Sequence, residues 1–149
     1  RVNGIEYDEK TKEDIEDVVA KRFEKEKIPF KKEEIDRIHR IGRPVIDQKT
    51  GKISKSIIIK LKSWKYRCEV YYARPKNFDK NGKKKPVSDS NISISLDLTK
   101  RRYRLLSKAK RAIEGKNNFL YAFSDINCSL GLRLLNGSIK YFNSDDELD

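Results

Sequence analysis

Hydrophobic positions recur along this chain at two periods, and the switches between them mark its elements. Val2 and Ile5 stand among Arg1, Asn3 and Gly4 as in a short strand. Ile15, Val18, Val19 and Phe23 then follow at helical spacing within 11–27, until Pro29 stops the helix. Residues 34–41 read as a second strand carrying Ile35, Ile38 and Ile41 among Arg37, His39 and Arg40, and 42–51, opened by Gly42-Arg43-Pro44, reads as a loop. Across 56–62, Ile57, Ile59 and Leu61 alternate with Ser56, Ile58, Lys60 and Lys62, the period of a strand with one buried face. A second helix is predicted from Ser63 to just before Pro75, with Trp64, Cys68 and Tyr71 on its buried stripe, and Ile92-Ser93-Ile94-Ser95-Leu96 alternates as a fourth strand.

The predicted order is βαββαβ, the split βαβ arrangement of an RNA-recognition-motif (ferredoxin-like) fold, in which two helices cover one face of a four-stranded sheet. Such a domain would occupy 1–96, and its uncovered face would carry Arg1, Asn3, Ile58, Lys60, Ser93 and Ser95. A small α+β domain is expected at 97–149. There Asp97 or Thr99 can cap a helix that runs to Glu114 and stops at Gly115, with Leu98, Leu105, Leu106, Ala109, Ala112 and Ile113 on one arc. Arg101, Arg104, Lys108 and Arg111 form a cationic ridge on the adjacent arc. Arg102 falls inside the apolar arc, where it can either snorkel to the boundary between the two domains or contact a ligand. Strands at 119–124, 130–135 and 138–142 complete the unit, the last two joined by the hairpin signal Asn136-Gly137. Ser144 to Glu147 has capping-box spacing with almost no chain after it, and Arg1 opens the chain inside a strand, so both ends read as cut from a longer protein.

Charge changes this picture from a fold into a function class. The 149 residues hold 35 Lys and Arg against 23 Asp and Glu, a net charge of +12. The excess is uneven: 37–116 carry +18, while the flanks together carry −6. A one-signed surface of this kind suits a polyanion. Lys83-Lys84-Lys85-Pro86 fits a solvated or phosphate-touching loop better than a nuclear-localisation patch. No apolar run approaches the roughly 18 residues of a membrane span. Cys68 and Cys128, sixty residues apart with no CxxC partner, point to packing residues in a reducing, intracellular compartment. His39 is the single histidine, which argues against a metal or acid–base role. No Ser/His/Asp set, acidic metal cluster or P-loop is present, so the chain reads as a binding protein without enzymatic activity or cofactor.

Several segments together resemble a known family. Val2-Asn3-Gly4-Ile5, the run from Ile35 through Arg40 to Pro44, Ile57-Ile58-Ile59-Lys60-Leu61, Ser95-Leu96-Asp97-Leu98-Thr99-Lys100-Arg101-Arg102 and Gly137-Ser138-Ile139-Lys140-Tyr141-Phe142 are similar, in that order, to the first-open-reading-frame protein of LINE-type retrotransposons. The baculovirus few-polyhedra proteins share part of the pattern. The resemblance implies an RNA-recognition-motif domain and a C-terminal domain that together bind single-stranded RNA and DNA and act as a nucleic-acid chaperone in a ribonucleoprotein particle during transposition. It also implies a cytoplasmic particle with a possible nuclear stage. A homotrimer through a coiled coil not found in this chain is implied as well, which would leave the fragment monomeric. The family's RNA contacts fall on Arg1, Arg40, Arg43, Lys60 and Arg74, then on Arg101 or Arg102 and on Tyr121.

Arg37, Arg40 and Arg43 recur every third residue near the second strand and are candidate phosphate ligands, because a guanidinium fork can hold two phosphate oxygens. An RNA-recognition motif ordinarily stacks bases on sheet aromatics. Here Arg1, Ser56 and Ile58 hold those positions, so weak sequence preference is expected. Trp64 reads as core. The competing function class is a protein-interaction module of a viral or domesticated relative, against which the charge argues.

Overall fold

In the computed structural model, which describes residues 1–76 and 92–148, three long-range strand pairings build one four-stranded antiparallel sheet. Its strands are β1 (Val2–Asn3), β2 (Ile35–Arg40), β5 (Ile57–Leu61) and β6 (Ser93–Ile94), side by side in the order β2-β5-β1-β6. Helices α1 (Ile15–Lys25) and α2 (Trp64–Ala73) add Val19, Phe23, Tyr66 and Val70 to Val2 and Ile57 of the strands, and Ile5, Ile28 and Ile92 from the connecting segments complete the core. The described residues divide into two units, 1–76 with 92–95 and 96–148, and the protein is mixed α+β. Lys83-Lys84-Lys85-Pro86 lies outside the described residues.

Local chemistry sets the ends of α1. Asp8 accepts hydrogen bonds from the Lys10 amide and the Thr11 hydroxyl, which holds 8–11 in a turn, so the helix starts at Ile15 rather than at Thr11. Asp14 caps it by accepting from the Asp17 amide. At the far end Lys27 adopts a left-handed φ of 58°, and the Ile28 amide donates to the Phe23 carbonyl at 2.8 Å, so the chain reverses and buries Ile28.

Two expectations about this unit are corrected. The buried stripe of α2 is Tyr66 and Val70, with Ala73 packed beside them, whereas Trp64 is 52% exposed with the Arg67 guanidinium over its ring. Aromatic residues at 64, 66, 71 and 72 leave more than one arc apolar, so spacing alone does not choose the face. The Tyr66 hydroxyl chooses it: it donates to the Pro29 carbonyl at 3.0 Å and accepts from the Lys31 amide at 2.9 Å. The segment read as a loop at 42–51 instead enters a hairpin of β3 (Val45–Ile46) and β4 (Ile53–Ser54). Its tip turns on Asp47, whose carboxylate accepts from the Lys49 amide, and on Gly51 at φ 69°.

The second unit packs α3 (Lys100–Ala112) on a three-stranded antiparallel sheet of β7 (Phe119–Ser124), β8 (Leu130–Leu134) and β9 (Ile139–Phe142). Leu105 and Ala109 meet Ala122, Leu130, Leu132 and Phe142, with Leu98, Leu106, Ile113 and Phe119 around them. Thr99 caps α3 by accepting from the Arg102 amide, and Gly115 at φ 79° lies just past its end. Asn136-Gly137 does join β8 to β9. Gly137 takes the left-handed conformation while Asn136 does not, and the Leu134 amide donates to Ser138, which makes a three-residue loop rather than a two-residue turn.

Candidate nucleic-acid interface

On the sheet of the first unit, Ile38 pairs with Ile59 toward the core, while Arg37 faces Lys60 and His39 faces Ile58 on the other side. Arg37 and Lys60 are exposed neighbours there. Lys60 Nζ lies 2.7 Å from Asp36 Oδ2, and this contact holds the Asp36 carboxyl below its ordinary range. An exposed pair of this kind is screened by water and salt and contributes little, so a phosphate can replace the carboxylate. Arg1 is exposed, and Asn3 is half-buried and accepts a hydrogen bond from the Ser56 hydroxyl. Arg43 is exposed in the turn after β2.

Arg40 has a different role from the one its sequence position suggests. Its side chain is 6% exposed. Nε and Nη2 donate to the two oxygens of Glu13 at 2.7 and 2.8 Å. Nη1 donates to the carbonyls of Ile5 and Lys55, and Nη2 also donates to that of Glu6. A guanidinium has five N–H donors, and all five have acceptors here. None is left for a phosphate. Arg40 instead joins α1's approach, the segment after β1 and the link between β4 and β5, with the Tyr7 ring beneath its guanidinium carbon at 5.3 Å. The signal was legible: Arg40 lies two residues beyond the core-facing Ile38 and therefore shares its face.

Arg74 closes α2 with its guanidinium 3.7 Å from the centre of the Tyr71 ring and a donor on the Tyr71 carbonyl, half-buried within its own unit. Arg102 is likewise bound internally. Its Nη1 donates to the carbonyl of Cys128, a residue with φ 63° in the β7–β8 turn, so it ties the start of α3 to that turn. Arg101, Arg104, Lys108 and Arg111 all lie exposed along α3. Lys108 pairs with Asp145; among the described residues the three arginines have no carboxylate within ion-pair distance. The first turn of α3 holds no acid, although the helix dipole favours one there. Lys100, Arg101 and Arg102 occupy it instead. Beside it is a pocket of about 290 Å³ lined by Thr99, Arg101, Arg102, Leu105, Leu130 and Asn143.

No protein-family model, no curated protein and no solved structure matches this chain. The site therefore rests on its own geometry.

Tyr121 is 42% exposed on β7, on the sheet face away from α3. Its neighbours on that face are Phe123, Arg133 and Tyr141, none of them among the residues that the sequence singles out. Their signal is the pair of aromatics two residues apart in Phe119–Ser124 and a third in Ile139–Phe142, since residues two apart share a strand face. Among the described residues, no group of His, Cys, Asp or Glu is placed to hold a metal ion, and no helix is long and apolar enough to cross a membrane.

Proposed function

We propose that this chain binds single-stranded RNA, and single-stranded DNA by the same contacts, chiefly through backbone phosphates. In this reading the first unit is an RNA-recognition-motif domain without sheet aromatics and the second is the C-terminal domain of a LINE-type first-open-reading-frame protein. The pair works as a nucleic-acid chaperone without enzymatic activity inside a retrotransposon ribonucleoprotein particle. The observation that carries the reading is the exposed ridge of Arg101, Arg104 and Arg111 on α3, which no neighbouring acid among the described residues neutralises. Arg101 stands at the positive helix end, where the dipole opposes it, while Arg111 in the last turn suits the negative end. A row of three like charges along one face, without a neighbouring acid among the described residues, nonetheless serves a polyanion rather than the fold. The strand order β2-β5-β1-β6, with helices between β1 and β2 and between β5 and β6, supports the domain assignment.

The contacts proposed are Arg37, Arg43 and Lys60 in the first unit and Arg101, Arg104, Lys108 and Arg111 in the second. Fluorescence anisotropy against single-stranded RNA, single-stranded DNA, duplex DNA and heparin, each at two salt concentrations, tests the proposal. Both single strands should bind more tightly than duplex DNA, and all binding should weaken with salt. Equal affinity for heparin and RNA would reduce the chain to a plain polycation.

One feature favours a second reading, a protein-interaction module. The β3–β4 hairpin exposes Val45, Ile46 and Ile53 at 64%, 62% and 42%, an apolar edge that phosphate binding does not use.

A further inference from the structure

The sheet of the second unit has two faces of different chemistry. One packs on α3. On the other, the register places six residues in two rows of three: Phe123, Gly131 and Tyr141 across one, and Tyr121, Arg133 and Ile139 across the next. The rings of Tyr121 and Phe123 lie 6.0 Å apart and those of Phe123 and Tyr141 6.5 Å apart, each pair edge-to-face. Gly131 makes this possible, since a Cβ there would stand 2.7 Å from Phe123 Cζ. The Phe123 ring thus lies over bare backbone at the centre of the face. Tyr141, Tyr121 and Ile139 are 52%, 42% and 41% exposed. The one charged residue among the six is Arg133, half-buried and, among the described residues, without a carboxylate in ion-pair distance.

We propose that this face is a stacking platform for unpaired bases, with Tyr121, Phe123 and Tyr141 offering the rings and Arg133 either lying on a base or holding the phosphate between two of them. The proposal rests on the single-strand reading above and adds what that reading lacks, a place for the bases. The sheet of the first unit offers no ring at its outward positions Asn3, Arg37, His39, Ile58 and Lys60 other than the imidazole of His39. Three aromatic rings and a cation with no acid among them match a base-and-phosphate chain: every base has a π-face, and the cation complements the phosphates. The first turn of α3 borders Leu130 and Asn143, so its arginines lie toward the Phe123–Tyr141 end of the same sheet.

The test compares the intact chain and its Tyr121→Ala and Tyr141→Ala variants in binding two probes of equal length. One is a labelled oligouridylate of about twenty nucleotides, the other an abasic oligomer with phosphates and sugars only. The unaltered protein should prefer the oligouridylate, and each alanine variant should lose about tenfold in affinity for it with no change toward the abasic probe. Tyr141→Phe should restore the preference, and far-UV circular dichroism should confirm that the variants are folded. Variants that bind both probes like the unaltered chain would overturn the platform while leaving phosphate binding intact. An unaltered chain that binds neither probe would overturn the single-strand reading itself. A dimer in sedimentation that Tyr141→Ala converts to monomer, with oligouridylate affinity unchanged, would assign the face to a second copy of the chain and also overturn the proposal.

Discussion

Arg40 and Arg43 stand three residues apart with the same side chain, and burial gives them opposite duties. Replacing Arg40 with Met removes five hydrogen bonds and leaves the Glu13 carboxylate facing unpaired carbonyls, so stability should fall by about 3 kcal/mol or more, read as a lower urea midpoint. Arg43→Gln should leave stability within about 0.5 kcal/mol of the original and weaken RNA binding instead. Equal stability losses for the two would refute the division of labour. Tyr66 is a second residue of this kind. Tyr66→Phe keeps the ring in the core but leaves the Lys31 amide and the Pro29 carbonyl without their partner, an expected loss of about 1–3 kcal/mol by the same measurement.

At the scale of elements, α3 is shaped by two requirements that conflict. Thr99 and the apolar stripe of Leu105 and Ala109 favour the helix, while Lys100, Arg101 and Arg102 oppose its dipole. Arg101→Glu should therefore raise thermal stability by about 0.3–1 kcal/mol and weaken RNA binding in the same protein. A variant that loses stability and keeps its affinity would show that the cations serve the fold. In the β7–β9 sheet, Gly131→Ala should cost about 1–3 kcal/mol, because the added methyl group meets the Phe123 ring and Ile139 Cγ2 at 3.3 Å.

For the whole molecule, the acid and alkaline limbs of stability have separate origins. Lys60 lowers the Asp36 carboxyl and Lys52 lowers that of Glu6, by hydrogen bond first and charge second; amide donors from Lys49 and Lys10 lower Asp47 and Asp8. A carboxyl with a depressed folded value contributes stability above its unfolded value, and that contribution is lost as pH falls through the folded one. The urea midpoint should thus be level from about pH 5 to 8 and decline below about pH 4. Tyr66 is pushed up by burial, and Lys31 is raised by its hydrogen bond to Glu69. Their contributions are complete below the unfolded values near pH 10 and are lost as pH rises through the folded ones. A midpoint that stays level at pH 3 would remove the carboxylate account. If the exposed cations hold about four to seven phosphates, log affinity for single strands should fall with log salt at a slope of about −3 to −5. A slope near zero would remove the phosphate account.

Local patterns were enough for much of this. Period-two runs located Ile57–Leu61 and Phe119–Ser124, and spacing located α3 with its apolar arc and its cationic ridge, because both depend on residues within a few positions of one another, while the choice of Thr99 over Asp97 as its cap came from the structure. Charge along the chain, likewise a property of sequence alone, pointed to a polyanion. Contacts between distant segments decided the rest. The face of α2 follows from Tyr66 reaching Pro29, thirty-seven residues away, and although strand period puts Arg40 on the core side of β2, the carbonyls at 5, 6 and 55 that use up its donors are brought there only by the fold. The row of Phe123, Gly131 and Tyr141 exists only once three strands pair in register, since the pattern within one strand says which residues share its face and nothing about which residues of another strand will stand beside them.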